Sequence, residues 1–128
     1  MIHGFLKACT VSPALRVADC AFNTQQTIAA MQRAAADGAQ LAVFPELGLT
    51  GYTCGDLFLS ALLLDAAEEA LLNICAHTQN CDPVVVLGVP LRAGGKLYNC
   101  AAVLHRGRIL GAVSYTHLRA HETGAYLV

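Results

Sequence analysis

Glu46 is the residue of this sequence best placed for chemistry. It follows the run Leu41-Ala42-Val43-Phe44, apolar at every position as a strand covered on both faces is, and then Pro45, which lacks a backbone donor and ends the ladder. A carboxylate there lies at the C-terminal edge of a strand, where open α/β layers gather their reactive groups. Gly48, Gly51 and Gly55 give the following loop the backbone freedom to fold over a small substrate. For an isolated strand-end glutamate the plainer reading is a surface ion pair.

Elements on either side must hold this loop. Residues 5–11 read as a first strand, and Asn23 or Thr24 caps a helix whose inward face carries Ile28, Met31 and Ala35 before Gly38 ends it. Residues 41–44 form the second strand. Ser60 caps a second helix running to about His77, with Leu63, Ala66, Ala67, Ala70 and Ile74 on its core face. Residues 83–90, centred on Val84-Val85-Val86-Leu87, read as a buried strand, which Gly94-Gly95 turns into a partner over 96–104. Arg106-Gly107 leads to a last strand over 108–113. The β-α-β-α-β-β-β order contains no repeat, linker or low-complexity tract, and indicates an α/β fold.

At 128 residues the chain supports one modest domain or part of one. Hydrophobic residues make up 55% and charged residues 13%, a composition with more apolar surface than so short a chain covers easily alone. The net charge of −1, with 8 scattered Lys and Arg, leaves no electrostatic footprint for nucleic acid or an anionic membrane. The longest strongly apolar stretch, residues 57–64, is broken by Ser60 and falls far short of the roughly 20 residues of a membrane span. Met1-Ile2-His3-Gly4 runs straight into the first strand without the regions of a secretory signal, so a cytoplasmic location is expected. Cys9, Cys20, Cys54, Cys75, Cys81 and Cys100 form no CxxC pair and no ligand spacing with histidine. No metal site is expected, and the cysteines read as small buried apolar residues of a reducing compartment.

Phe44-Pro45-Glu46 followed by Leu49-Thr50-Gly51-Tyr52 resembles the first motif of the nitrilase, or carbon-nitrogen hydrolase, superfamily. The longer run Thr50-Gly51-Tyr52-Thr53-Cys54-Gly55-Asp56-Leu57-Phe58 is similar to the version in the N-terminal glutaminase domain of bacterial glutamine-dependent NAD synthetases. Gly4-Phe5, Val17-Ala18-Asp19-Cys20 and Phe22-Asn23 are similar to that domain's opening, and the resemblance covers residues 1–113. It implies a nitrilase-like α-β-β-α sandwich, two facing sheets with helices outside, of which this chain supplies the N-terminal half only. It implies Glu46 as the general base of a Glu-Lys-Cys set in which a cysteine thiolate attacks the side-chain amide of glutamine, ammonia leaves, and water hydrolyses the thioester.

By the same resemblance, Tyr52 matches a tyrosine at the mouth of the glutamine pocket, where a phenol packs against the substrate and offers one hydrogen bond. Cys54 is not the nucleophile, which the family carries far downstream. Tyr98-Asn99 matches a family pair and reads as scaffold. In complete enzymes the ammonia feeds amidation of deamido-NAD by a synthetase domain that uses ATP and Mg. This chain has no glycine-rich phosphate loop, so no cofactor is expected in it. Family subunits commonly associate helix layer to helix layer, so a homo-oligomer is expected of the intact protein. Two alternatives keep Glu46: a stand-alone amidase acting on a small amide, against which residues 53–58 argue, and a non-catalytic interaction module.

Residues 113–123, VSYTHLRAHET, are similar to an in-frame translation of a transposon adapter used in preparing sequencing libraries. Residues 1–113 are therefore read as a partial glutaminase domain and residues 114–128 as a non-native tail. Family members continue after the segment that is Gly107 to Gly111 here with a Pro-Lys pair supplying the catalytic lysine, and Ser114 and Tyr115 stand in those places. Losing that oxyanion donor lowers rates on the order of a hundredfold or more, and losing the cysteine removes the reaction, so the fragment is expected to be inactive. His117, His121 and Glu122 mimic a metal site at helical spacing, a coincidence of the adapter-like run. Resequencing the source DNA across codons 108–128 without transposon adapters is expected to read on into Pro-Lys and later a cysteine. Recovery of Ser114-Tyr115 followed by a stop would make the non-catalytic reading the leading one.

Overall fold

Val84 to Leu87 occupies the middle of a sheet whose alternate side chains are taken up by one layer of helices. The computed structural model describes residues 3–118. Its strands are β1 (Ala8–Thr10), β2 (Leu41–Val43), β3 (Val84–Ala93), β4 (Lys96–His105) and β5 (Arg108–Leu118), lying side by side in chain order as a 5-stranded sheet. The pairs β1–β2 and β2–β3 are parallel, and each needs a crossover, supplied by α1 (Cys20–Ala36) and by α2 (Ala61–His77). The pairs β3–β4 and β4–β5 are antiparallel hairpins.

The register sorts the sheet's side chains onto two faces. Val85 lies opposite Leu104 and Leu87 opposite Ala102, and all four join Met31, Ala34, Leu63, Ala67, Leu71 and Ile74 of the helices in one buried cluster. Each large side chain sealed there contributes about 1.5–3 kcal/mol. The alternate residues Val84, Val86 and Val103 point to the other face and are only half-buried. One sheet and one helix layer are thus present, half of the expected α-β-β-α sandwich.

Several boundaries differ from the sequence expectation, each for a physical reason. Asp19, not Asn23 or Thr24, caps α1, its carboxylate accepting the Phe22 N–H at 3.0 Å. Apolar periodicity starts the helix too late because Asn23, Thr24 and Thr27 are buried on its inward face. Ser60 caps α2 as expected, accepting from the Leu63 N–H. β1 is shorter than expected, with Phe5 and Leu6 before it 79% and 55% exposed. β5 runs on past Val113 to Leu118, and every side chain from Arg108 to Tyr115 is exposed. His117 therefore stands in a strand, where helical spacing has no meaning, while His121 and Glu122 lie outside the described residues. Among the described residues no helix is long and apolar enough to cross a membrane, and no three His, Cys, Asp or Glu side chains converge as a metal site requires.

All six cysteines are free thiols, and all but the half-buried Cys9 are buried. Burial, aided by Cys54 and Asp19 nearby, raises the Cys20 pKa from 9.0 to about 11. Burial likewise pushes up Cys54, Cys75 and Cys100. An unfolded chain releases these protons at lower pH than the folded one, so their contribution to stability is complete below the ordinary value of 9.0 and is lost as pH rises, for Cys20 towards about 11. Thermal melts across that window are expected to show a falling Tm, with a shallower fall in a Cys20→Ala variant. An identical slope in the variant would remove the assignment.

Candidate active site

Pro45 ends β2 just after the Phe44 N–H bonds to the Val86 carbonyl at 2.9 Å, and the chain then turns across β3. The crossing is possible because position 88 is glycine. A Cβ there would lie 2.2 Å from the Leu47 nitrogen, 2.4 Å from the Pro45 oxygen and 2.7 Å from the Glu46 carbonyl carbon, all backbone atoms. The Leu49 N–H ties the turn to the Gly88 carbonyl at 3.2 Å, and the Gly51 N–H closes it on the Leu47 carbonyl at 2.8 Å. Leu47, at φ 50°, is left-handed in this turn although Gly48 is not, and Gly51 is left-handed at φ 79°. That conformation costs a non-glycine residue about 1–2 kcal/mol and persists because the Leu47 side chain is wholly enclosed.

The loop before α1 braces the far side of the turn. Asn23 donates to the carbonyls of Leu49 at 3.1 Å and Arg16 at 2.8 Å, and accepts the Arg16 N–H at 2.8 Å. The Ala18 N–H reaches the Thr50 carbonyl at 2.7 Å. Cys54 is part of this bracing: its thiol donates to the carbonyls of Thr50 at 3.2 Å and Gly51 at 3.3 Å. A buried thiol with a raised pKa is no ready thiolate. Tyr52 projects from the same loop and is 60% exposed, open to solvent.

Glu46 is half-buried, and its Oε1 accepts a hydrogen bond from Asn99 Nδ2 at 2.5 Å. Asn99 lies on β4 opposite Pro90, and Ala101 lies opposite Gly88, so Asn99 and Gly88 share the face that carries no helix. Asn99, read from the sequence as scaffold, bonds through its amide to the candidate base itself. Nothing in the local sequence signals a contact between residues so far apart. Asn99 is 0% exposed, and its Oδ1 has no partner among the described residues. A buried acceptor left unmade costs about 1–3 kcal/mol. The amide turns its NH2, a donor, and not its oxygen towards Glu46 Oε1.

Beside this pair β5 carries one extra residue. Ser114 pairs with Cys100 and Thr116 with Asn99, leaving Tyr115 bulged and 60% exposed. Position 115 is where the resemblance puts a lysine, and a phenol there supplies no ammonium charge. The arrangement therefore offers a carboxylate held by one oxygen, with its second oxygen available for proton transfer. Gly88→Ala is expected to destabilise the chain by about 3 kcal/mol, or roughly 10 °C in Tm, because the methyl group meets backbone that has no room to yield. An unchanged melting curve would mean that the turn does not depend on this contact.

Residues 7–126 match the carbon-nitrogen hydrolase family. The glutamine-dependent NAD(+) synthetase of Mycobacterium tuberculosis (strain ATCC 25618 / H37Rv) is 40% identical over 120 residues, 94% of this chain and 18% of that protein. The enzyme of the same description from Aquifex aeolicus is 42% identical over 73 residues, 57% of this chain and 13% of that one. This chain thus spans less than a fifth of the length of these curated relatives. The crystal structure of a glutamine-dependent NAD(+) synthetase from Cytophaga hutchinsonii superposes with a TM-score of 0.81 at 28% identity, covering 89% of this chain and 19% of the other. An amidase from Nesterenkonia sp. superposes with a TM-score of 0.74 at 23% identity over 96% and 47%, a likeness of fold. With the family match running through nearly all of its length and the sheet-and-helix layers superposing on solved members, this chain belongs to the carbon-nitrogen hydrolase family and has the nitrilase-like α/β fold.

Proposed function

We propose that this chain is the first part of a glutaminase domain, the unit that hydrolyses the side-chain amide of glutamine and passes the ammonia to ATP-dependent synthesis of NAD from deamido-NAD. The observation that carries the reading is the turn over Gly88, which presents Glu46 at the end of β2 inside a sequence 40% identical to a glutamine-dependent NAD(+) synthetase. Glu46 is the general base: it takes the proton of a nucleophilic cysteine thiol, gives it to the leaving amine, and then activates water against the thioester. Tyr52, exposed on the same loop, packs against the glutamine. The family lysine and nucleophilic cysteine are not supplied by this chain, residues 114–128 are a non-native tail, and the chain alone does not turn over glutamine. It takes no cofactor itself, since ATP and Mg belong to a synthetase domain. The intact protein is a cytoplasmic homo-oligomer that touches neither nucleic acid nor membrane.

One observation favours a second reading. β5 pairs with β4 through Leu118, and the family match runs to residue 126, so residues 114–118 fit the sheet. If they are native, Tyr115 replaces the lysine and the chain is a non-catalytic module that keeps the Glu46 turn to bind an amide or a partner subunit.

In the intact gene, Glu46→Gln is expected to abolish glutamine-dependent NAD synthesis while leaving ammonia-dependent synthesis largely unchanged. Equal loss of both activities would sink the role of Glu46. The 128-residue chain mixed with glutamine is expected to release no ammonia above the buffer blank, and release would refute its inactivity.

A further inference from the structure

We propose that Asn99 is the positioning residue of Glu46: its Nδ2 pins Oε1, fixing the carboxylate's rotamer so that Oε2 is presented for proton transfer. The inference rests on Glu46 being the base of the site. Its first support is the bond itself, which joins β4 to the turn after β2 across 53 positions of sequence. Its second is what the rest of the amide does not do. Asn99 is 0% exposed, yet its Oδ1 has no partner among the described residues. Asn23 in the same chain shows what a structural asparagine looks like, since it spends both ends of its amide on backbone groups of Arg16 and Leu49. Asn99 spends one end on one carboxylate, and the other has no partner among the described residues.

Its third support is the setting. The neighbours of Asn99 on its face of the sheet include Pro90, directly opposite on β3, and Ala101, two positions on, both buried, and Thr116 lies opposite on β5. An apolar side chain of the same size suits Pro90 and Ala101 at least as well, and the one side-chain hydrogen bond that the amide makes among the described residues is to Glu46. A buried amide that leaves its oxygen unpaired and gives its NH2 to one candidate catalytic group is the mark of a residue kept for the site.

The test compares two asparagines in the 128-residue chain. Asn99→Leu is expected to leave Tm unchanged or to raise it by a few degrees. In the same variant the Glu46 side-chain couplings, read by carbon-detected NMR, should collapse to rotamer-averaged values. Asn23→Leu is expected to lower Tm and leave those couplings alone. A fall in Tm for Asn99→Leu with fixed Glu46 couplings, or a failure of that variant to fold, would overturn the proposal in favour of a purely structural asparagine. A second measurement needs no variant at Asn99. One of its two side-chain amide protons should be protected from exchange and lose that protection in Glu46→Ala; rapid exchange of both in the unmutated chain would equally overturn it.

In the intact enzyme, Asn99→Leu should lower kcat on the order of a hundredfold with KM little changed, as loss of orientation does. A KM effect alone would count against positioning. A Glu46 that is held by Asn99 yet dispensable for amide turnover would sink the base assignment and leave the positioning intact.

Discussion

The absence of one side chain holds this structure's site together. The backbone of Pro45 to Leu47 lies so close over β3 that even a methyl group at position 88 would fall 2.2 Å from the Leu47 nitrogen. Because the turn rests directly on the strand, Leu49 can bond to the Gly88 carbonyl, Leu47 is driven into a left-handed conformation, and Glu46 comes within reach of Asn99 on the next strand. A turn standing one side chain higher would make none of these contacts. The geometry of the candidate base is thus a consequence of close packing between two backbones, which leaves little freedom for thermal drift.

The two faces of the sheet explain the composition. One is sealed by α1 and α2 in a continuous apolar cluster. The other carries Glu46, Asn99, half-buried Val84, Val86 and Val103, and Val113 of β5 at 62% exposure. A sheet needs cover on both faces, and a chain that is 55% hydrophobic and 13% charged carries the side chains for two covered faces while the described residues cover one. The carboxylate sits on the uncovered side. In a sandwich of two sheets that side is the interior, where exclusion of water strengthens every charge interaction a base makes.

Polar residues inside the fold are where pattern reading and structure part. Asn23, Thr24 and Thr27 occupy the inward face of α1, so a search for apolar period placed the helix start a turn late and gave the cap to a buried residue. Thr24 meets its own needs on the Cys20 carbonyl at 2.6 Å, and Asn23 spends its amide on the loop that braces the Glu46 turn. Such residues look like solvent-facing ones until their partners are known, because burial of a polar group depends on acceptors supplied from elsewhere in the chain.

Elements whose causes are local were legible from the residues themselves. The apolar run of β2, the Ser60 cap, the Gly94-Gly95 hairpin and the strand-end position of Glu46 each depend on neighbours within a few positions, and each stands in the structure where periodicity and turn chemistry put it. The resemblance carried by residues 44–58 likewise lay in contiguous sequence. What only the tertiary structure decided is which distant groups meet: Gly88 beneath the turn, Asn99 on the carboxylate, and Tyr115 bulged at the Asn99 step. Those contacts are set by strand register and by the approach of backbones across the sheet, and a one-residue change of register would turn Asn99 to the opposite face. One sequence read locally contains the periods but not the register, so the carboxylate could be found from the residues and its partner could not.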